Sequence, residues 1–355
     1  MELRIERSAN LKPLPEDEKK LGFGINFTDH MFIMNYDEGL GWHDARIVPY
    51  APISLDPAAM VLHYGQEVFE GLKAYRTPDN SIQLFRPEEN FKRLNQSNER
   101  VCIPPIDEEF ALYALKELVR IDERWVPSSE GTSLYIRPFI FATDAHIGVR
   151  AGNHYMFIII TSPVGAYYSG GLSPVSIYVE RDYVRAVKGG TGMVKTGGNY
   201  SASLKAQREA SIQNCAQVLW LDGVEKKYIE EVGAMNVFFI IGDKVITPSL
   251  EGSILPGITR KSAIELLQSW GYDVEARRLA IDEVIRANDN GTLKEAFGTG
   301  TAAVISPIGL LRVDNKDIVI NNREIGPVSQ RLYDELTGIQ RGVLKDSFNW
   351  IVKIQ

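Results

Sequence analysis

The chain has 355 residues, a length typical of about two domains. Of these residues, 44% are hydrophobic and 24% are charged, which is typical of a globular protein. Its formal net charge of -7 argues against nucleic acid as a principal partner, because phosphate backbones are bound by basic surfaces. The longest apolar run, at 155–161, is too short to span a bilayer, and the polar N-terminal segment lacks the apolar core of a secretory signal. We therefore expect a cytoplasmic protein that binds neither membrane nor nucleic acid.

The first half of the chain combines strand and helix patterns. Short apolar or alternating runs predict strands at 30–37, 81–86, 132–143 and 155–161. Apolar residues at the 3.6-residue period predict helices over 87–101 and 107–122. The segment 162–174 that follows is rich in Pro, Gly and Ser, and it is equally consistent with an interdomain linker and with a long surface loop.

The second half continues in the same mixed manner. Helices are predicted at 201–213 and 258–271, and strands at 217–222 and 236–247, with a hairpin turn at Gly242 and Asp243. Residues 296–309 alternate glycine and threonine before another buried strand. This mixture predicts an α+β or mixed α/β class. We assign the chain to a smaller N-terminal α/β domain at 1–165, a linker at 166–174 and a larger domain at 175–355.

Several kinds of site are disfavoured. Cys102 and Cys215 are far apart and form no disulfide or metal-binding pattern, so we expect both to be small buried side chains. The five histidines do not have metal-ligand spacing, so we expect them to be structural and predict no metal site. No serine lies in a nucleophile-elbow context, which argues against a hydrolase.

The most unusual stretch is GGTGMVKTGGNY at 189–200, in which five of the twelve residues are glycine and Lys195 stands near the middle. Glycine lets the backbone approach another group closely. A lysine in such a glycine-rich segment is either a solvated charge on a loop or an amine in contact with a bound group. In the second case it can act as a nucleophile. Lys73, Lys188 and Lys205 are the alternative lysines.

Two further segments are suited to binding an anion. In ILPGITRKS (254–262), Pro256 and Gly257 precede a helix, so that the amides of Ile258 and Thr259 should lie unpaired at its positive end. The segment GTGTA (298–302) offers a second set of amides and hydroxyls. Neither matches a P-loop or a dinucleotide-binding pattern, and each signal alone is weak.

Two adjacent carboxylates, Glu230 and Glu231, stand at the start of a buried strand. We expect one of them to be solvated. We expect Glu231, next to the apolar Val232, to face inward toward a cation, and a pyridinium nitrogen is such a cation.

Together, these features describe a site for pyridoxal phosphate. They are an amine in a glycine-rich segment, two segments suited to a phosphate and a carboxylate for a pyridinium. Seven blocks carry a resemblance to a known family: VFEGLKAYR, LFRPEENFKRL, YIRPFIFA, KGGTGMVKTGGNYSASL, EEVGAMNVF, ILPGITR and FGTGTAAVISP. In this order they closely resemble the branched-chain amino acid aminotransferases, members of fold-type IV among pyridoxal phosphate enzymes. The resemblance covers roughly residues 20–345. It implies a two-domain fold in which 175–355 is the cofactor-binding domain.

The resemblance also implies roles for individual cofactor residues. Lys195 matches the Schiff-base lysine, Tyr200 the phenol that hydrogen-bonds the ring oxygen, and Glu231 the carboxylate on the pyridine nitrogen. The residues that match the phosphate ligands are Arg93, Ile258, Thr259 and Thr301.

Substrate residues are implied in the same way. Thr301 and Ala302 match the turn whose amides receive the α-carboxylate. Tyr64 and Arg137 match the pair that supports this carboxylate, and Tyr64 is expected to come from a partner subunit, which implies a homodimer. Arg137 is also our candidate for the polar end of the pocket. The aromatic wall around an aliphatic side chain is expected to consist of Phe23, Phe69 and Tyr135.

The implied reaction is transamination of leucine, isoleucine or valine with 2-oxoglutarate, which yields branched-chain 2-oxo acids and L-glutamate in a ping-pong cycle. D-amino acid aminotransferase and aminodeoxychorismate lyase share the fold and remain alternatives, although they resemble this chain less in VFEGLKAYR and in length. A silent phosphate-ligand-binding module that uses PGIT and GTGTA is an alternative from another class. A visible absorption band would distinguish the enzymes from the silent module.

Overall fold

The computed structural model describes residues 1–165, 172–314 and 316–354. These residues form two compact units. Within the described ranges, the first comprises residues 1–165, 194–197 and 338–354, and the second comprises residues 172–193, 198–314 and 316–337. Most of the linker that we predicted at 166–174 falls on 166–171, which lie outside the described residues, so the domain boundaries stay a prediction.

The first unit is built on a nine-stranded sheet. Its elements are β1 (Arg4–Ile5), β2 (His30–Asp37), β3 (Gly41–Pro49), α1 (Met60–Tyr64), β4 (Glu67–Phe69), β5 (Leu72–Arg76), β6 (Ile82–Phe85), α2 (Pro87–Arg100), α3 (Glu108–Ile121), β7 (Ser133–Ala142) and β8 (His154–Val164), with β18 (Ile351–Ile354) from the C-terminal segment. The strand order is β1-β3-β2-β8-β7-β5-β6-β18, and β4 pairs with β7. The pairs are antiparallel except for β1 with β3.

One face of this sheet forms the core of the first unit. Alternate residues of the central strands, such as Leu134 and Ile136 on β7, pack there with α2 and α3. Helix α3 contributes an apolar stripe that includes Leu115 and Leu118, and Asp107 caps its N-terminus by accepting a hydrogen bond from the Phe110 amide. Because side chains alternate along a strand, the odd-numbered residues of β7 lie on the opposite face.

The second unit contains another nine-stranded sheet. Its elements are β9 (Val175–Val179), α4 (Gly197–Ser201), α5 (Leu204–Ile212), β10 (Gln217–Leu221), β11 (Ile229–Val232), β12 (Asn236–Ile241), β13 (Lys244–Thr247), α6 (Ile258–Ser269), β14 (Asp273–Ala276), α7 (Ile281–Asp289), β15 (Leu293–Gly300), β16 (Val304–Val313), β17 (Lys316–Val319) and α8 (Pro327–Gln340). The first residue of α4 and the last three residues of α8 belong to the first unit. The order is β11-β10-β9-β16-β15-β12-β13-β14, with β17 beside β16. The pairs of β9 with β10, β9 with β16 and β13 with β14 are parallel.

The mixed helix and strand class that we predicted is confirmed. The predicted hairpin is confirmed as well, since β12 and β13 pair with Ile241 opposite Lys244. The helix predicted at 201–213 is divided into α4 and α5. In 296–309, the first glycines and threonines belong to strand β15, and a turn at 301–303 leads to β16.

One expectation about cysteine is wrong. Cys215 is buried, but Cys102 is exposed. Cys102 follows the end of α2 with a φ of 59°, a left-handed turn conformation that leads the chain out of the helix on its solvent side. Helices capable of crossing a bilayer, which need both length and a sustained apolar character, do not occur in the part of the chain that the structure describes.

Candidate active site

The residues expected to contact substrate in the first unit share one face of its sheet. Strand β4 pairs with β7 so that Glu67 lies opposite Phe141 and Phe69 opposite Phe139. Since alternate residues of a strand face the same way, Arg137 on β7 lies on this face too. This is the face opposite the packed core, and we call it the β4–β7 face.

Arg137 lies among aromatic rings on the β4–β7 face. One terminal nitrogen of its guanidinium donates to the Tyr135 hydroxyl at 3.0 Å, and the guanidinium carbon lies 4.7 Å from the centroid of the Phe69 ring. Phe23 meets Tyr135 edge-on at 5.0 Å between ring centroids. Within the described residues, the buried Nε of Arg137 has no hydrogen-bond partner. A carboxylate is the group that such a donor binds best.

The Lys195 amine reaches the same aromatic surface. Its Nζ lies 4.7 Å from the centroid of the Phe69 ring. The backbone of Lys195 is fixed on both sides, because its amide donates to Ser97 Oγ at 3.0 Å and its carbonyl accepts from the Phe69 amide at 3.0 Å. Next to it, Thr196 Oγ1 donates to the Glu67 carbonyl at 2.7 Å.

The other lysines that we considered have different surroundings. Lys188 and Lys205 are exposed. Lys73 lies on β5 and is buried, and desolvation lowers its pKa to about 8. Of the four lysines that we weighed, Lys195 is the one placed against an aromatic ring next to Arg137.

Arg93 takes part in a buried ion pair with Glu70, a residue that we did not anticipate. Arg93 Nε donates to Glu70 Oε1 at 2.7 Å and its terminal nitrogen donates to Oε2 at 2.9 Å, while Asn90 donates to Oε2 at 2.8 Å. Burial raises the pKa of Glu70, but the Arg93 charge and hydrogen bond outweigh it and lower this pKa below its ordinary value. Glu70 lies inside the VFEGLKAYR block, but nothing local in that block indicates its pairing with α2.

Tyr64 ends helix α1 at the surface of the first unit. Its ring is 40% exposed, and its hydroxyl donates to the Ile147 carbonyl. Leu62, Ile147 and Val149 are exposed apolar side chains of the same segments.

In the second unit, both carboxylates of strand β11 are buried, which overturns our expectation that one of them is solvated. Glu230 is 6% exposed and Glu231 is 3% exposed. The whole strand is buried because both of its faces are covered. The expectation that one of the two adjacent carboxylates is solvated was therefore wrong.

Glu231 lies in a polar environment that suits a carboxylate. Its Oε1 accepts from the Leu255 amide at 2.8 Å and lies 3.2 Å from a terminal nitrogen of Arg185. The same nitrogen donates to the carbonyls of Gly192, at 3.0 Å, and Ser253. Arg185 was missed because its loop pattern carries no signal for a partner so distant in sequence. Its buried Nε has no partner within the described residues.

Glu230 is held differently. Ser253 Oγ donates to its Oε1, and its buried Oε2 has no partner among the residues that the structure describes. Burial raises the pKa of Glu230, although the Ser253 hydrogen bond and the Arg185 charge act against this.

The backbone of the two predicted anion-binding segments has the expected conformation. Helix α6 begins at Ile258, after Gly257 in extended conformation and without a side-chain cap, so that the first amides lie at its positive end. A Cβ at Gly257 would approach Asn236 Oδ1 to 2.0 Å, so a larger residue here would displace the Asn236 side chain. In the other segment, Thr301 and Ala302 form the turn after β15, and Thr299 Oγ1 is buried with no partner in the described ranges.

Tyr200 lies on α4 and is half-buried. Beside it, Asn199 ties α4 to the preceding loop. Thr191 Oγ1 donates to Asn199 Oδ1 at 2.7 Å, and Asn199 Nδ2 donates to the Thr191 carbonyl at 2.8 Å. Asn199 was also missed by the sequence analysis.

The structure thus brings Phe23, Phe69, Tyr135, Arg137 and Lys195 together within the first unit. Within the second unit, Glu231 contacts the Leu255 amide, three residues before the start of α6. An amine, a guanidinium with an unpaired donor and an aromatic wall can hold an amino acid or an oxo acid by its carboxylate and its apolar side chain.

Comparison with known proteins gives a consistent result. Residues 67–311 match the family model described as Amino-transferase class IV. Branched-chain-amino-acid aminotransferase 2 of Bacillus subtilis (strain 168) is 58% identical over 352 residues, which cover 99% of this chain and 97% of that protein. A probable branched-chain-amino-acid aminotransferase of Staphylococcus aureus (strain N315) is 57% identical over 353 residues, covering 99% of this chain and 98% of that protein.

Solved structures agree. The Escherichia coli branched-chain amino acid aminotransferase superposes with a TM-score of 0.76 at 27% identity, covering 91% of this chain and 99% of that chain. The T.th. branched-chain amino acid aminotransferase complexed with N-(5'-phosphopyridoxyl)-L-glutamate gives a TM-score of 0.74 at 26% identity, covering 91% of this chain and 98% of that chain.

Proposed function

Because the chain belongs to the class IV aminotransferase family, we propose that it transfers the amino group of leucine, isoleucine or valine to 2-oxoglutarate with pyridoxal 5'-phosphate as cofactor. The products are branched-chain 2-oxo acids and L-glutamate. The two half-reactions use one site in turn, which makes the cycle ping-pong. We also propose that the reaction takes place in the cytoplasm.

Several observations support the cofactor. The buried carboxylate of Glu231 suits a protonated pyridine nitrogen, and the start of α6 together with the buried Thr299 hydroxyl suits a phosphate. When bound, pyridoxal phosphate supplies an electron sink that stabilises negative charge at the substrate Cα. We assign Glu231 to the ring nitrogen and Tyr200 to the ring oxygen. We assign the phosphate to Arg93, Ile258, Thr259 and Thr301.

Lys195 is the catalytic residue in this proposal. Its amine would hold the cofactor covalently, and the same amine would serve as the base that removes the proton from the substrate Cα. The hydrogen bonds that fix its backbone to Ser97 and Phe69 keep the amine within a narrow range of positions. Such positioning is a main source of rate enhancement in proton transfer.

The substrate is oriented by its carboxylate and its side chain. We assign the α-carboxylate to the amides of Thr301 and Ala302, supported by Arg137 and by Tyr64 from a partner subunit. The aliphatic side chain packs against Phe23, Phe69 and Tyr135. When the substrate is 2-oxoglutarate or glutamate, the Arg137 guanidinium receives the γ-carboxylate.

We propose a homodimer as the assembly. The exposed apolar side chains Leu62, Ile147 and Val149 near Tyr64 support an interface at this surface of the first unit. Sedimentation of the protein and of Ile147→Asp tests it: the substitution should produce monomers and remove the contribution of Tyr64. A wild-type protein that sediments as a monomer rejects the dimer.

The observation that carries the proposed function is the position of the Lys195 amine on an aromatic surface that also holds Arg137. The test is the visible spectrum of the purified protein, followed by assays with leucine and 2-oxoglutarate. We expect a visible absorption band and the formation of glutamate. A colourless protein, or one that converts D-alanine but not L-leucine, contradicts the proposal and favours the alternatives.

A further inference from the structure

We propose that Glu67 is a specificity-determining residue, which sets the balance between aliphatic and dicarboxylate substrates by opposing the charge of Arg137. This inference rests on the proposed function, in which one pocket accepts both an aliphatic side chain and a γ-carboxylate. Glu67 is not among the site residues that we predicted from the sequence.

Glu67 and Arg137 lie on the same side of the sheet of the first unit. Glu67 pairs across from Phe141 and shares the β4–β7 face with Phe69 and Arg137. Val68, between Glu67 and Phe69, points into the core instead and is fully buried. The carboxylate of Glu67 therefore stands among the groups that we assign to substrate.

The position of this carboxylate is fixed by the segment that contains Lys195. The Gly197 amide donates to Glu67 Oε1, and Thr196 Oγ1 donates to the Glu67 carbonyl at 2.7 Å. A Cβ at Gly197 would approach Glu67 Oε1 to 2.1 Å, so that a larger residue here would displace the Glu67 carboxylate. Glu67 thus has a defined place relative to the reactive amine rather than a range of solvent-exposed rotamers.

The two charges act on each other. The pKa of Glu67 is raised above its ordinary value, because burial outweighs the Gly197 hydrogen bond and the positive charge of Arg137, which both lower it. By symmetry the Glu67 carboxylate reduces the positive potential at Arg137. At an effective dielectric constant of about 20, one unit charge at a distance of roughly 10 Å changes the affinity for an anion about tenfold.

The effect on substrates follows from their charge. A γ-carboxylate that binds Arg137 must approach the Glu67 carboxylate, whereas an isobutyl side chain brings no charge. Glu67 therefore weakens binding of the dicarboxylate and leaves binding of the aliphatic substrate unchanged. A pocket lined by Arg137 without this opposing charge would favour glutamate and 2-oxoglutarate.

The substitution Glu67→Gln separates charge from hydrogen bonding, because the amide oxygen still accepts from Gly197. The ligands are glutarate and 4-methylvaleric acid, which lack an amino or oxo group and so bind without reacting. We would measure their dissociation constants with the holoenzyme by calorimetry at about pH 8, well above the ordinary pKa of a glutamate carboxyl. Glu109→Gln, an exposed position on α3, is the matched control.

We expect Glu67→Gln to lower the dissociation constant of glutarate roughly tenfold and to leave that of 4-methylvaleric acid unchanged. Glu67→Asp, which keeps the charge, should retain the wild-type ratio of the two constants, as should Glu109→Gln. Equal changes for both ligands in Glu67→Gln would mean a structural role and would overturn the inference. If the ratio of the two dissociation constants in Glu67→Gln equals that of the wild type, the inference is overturned as well.

The proposed function fails in a different way. If the wild-type enzyme turns over leucine and 2-oxoglutarate but the Glu67→Gln ratio does not move, only the role of Glu67 is rejected. If the wild-type enzyme transaminates neither substrate, the proposed function itself is rejected, and with it the inference.

Discussion

Each unit of the protein buries a glutamate beside an arginine, but the two pairs differ in how the arginine is used. Arg93 meets Glu70 with two nitrogens, at 2.7 and 2.9 Å, and the carboxylate is further bound by Asn90. Arg185 uses one terminal nitrogen for Glu231 and for two backbone carbonyls, and its Nε has no partner among the described residues. The first pair has the bidentate geometry of a strong ion pair. In the second pair, one terminal nitrogen of Arg185 contacts three acceptors, which are the Glu231 carboxylate and two backbone carbonyls.

This difference indicates different functions. A bidentate pair fixes α2 against the segment that follows β4, and its disruption leaves a buried charge without compensation. The Arg185 pair instead connects Glu231 to the glycine-rich loop through Gly192, and orients a carboxylate that we assign to the cofactor. We therefore expect the first pair to affect stability most, and the second to affect catalysis most.

The largest expected effect comes from breaking the first pair. Glu70→Gln keeps the shape of the side chain but removes the charge opposite Arg93, which should lower the free energy of unfolding by about 3–5 kcal/mol. Urea unfolding of the cofactor-free protein measures this loss. Glu225→Gln, which breaks an exposed pair with Arg278, should cost about 1 kcal/mol or less. Equal losses in the two variants would show that burial of the Glu70 pair is unimportant.

The next effect concerns catalysis and the second pair. Glu231→Gln should retain cofactor but reduce kcat about 100-fold or more, because a neutral pyridine stabilises the carbanion poorly. Glu230→Gln should change kcat little, since the amide still accepts from Ser253. Steady-state kinetics with leucine measures both. Similar losses in the two variants would remove the assignment of Glu231 to the ring nitrogen.

Replacing each arginine with lysine keeps the charge and therefore tests directly whether the two ion pairs differ in geometry. Arg93→Lys cannot reproduce a two-nitrogen contact and should lower the free energy of unfolding by about 2 kcal/mol, whereas Arg185→Lys replaces a single-nitrogen contact and should cost less than about 1 kcal/mol. Unfolding midpoints of the cofactor-free variants give the values. The reverse order would contradict our interpretation of the two geometries.

Lys73 provides the smallest expected effect, as a buried cation whose pKa is lowered by desolvation to about 8. Its ordinary pKa is about 10.4, so the unfolded chain binds more protons and the free energy of unfolding should rise as pH increases from about 8 to about 10. Lys73→Met should remove this rise, because the variant has no amine at this position to titrate. Lys92→Met, at an exposed position, should keep the rise. A wild-type stability that is flat over this range would show that Lys73 is not desolvated.

Local sequence signals predicted much of the fold. The 3.6-residue apolar period over 107–122 predicted α3, and Gly242 with Asp243 predicted the turn between β12 and β13. Gly257 before Ile258 predicted the start of α6. These elements depend on residues within a few positions of each other, so the sequence around them contains the relevant information.

What the sequence did not reveal depends on tertiary contacts. The solvation predicted for one carboxylate of β11 was wrong because both faces of the strand are covered. Glu70, Glu67 and Arg185 were missed because their partners lie far along the chain and are brought close only by strand register and helix packing. The polar strand β3 and the short helix α7 were also missed, since neither shows a long apolar period.

The central claim is that Lys195 is the residue that bonds the cofactor, and borohydride reduction of the holoenzyme tests it most directly. Reduction makes the bond permanent, so that peptide mass spectrometry after digestion identifies the lysine. We expect one cofactor mass on the peptide that contains Lys195, and loss of the label together with nearly all turnover in Lys195→Ala. A label on a peptide that contains Lys73, Lys188 or Lys205 instead, or a fully active Lys195→Ala enzyme, would contradict the account.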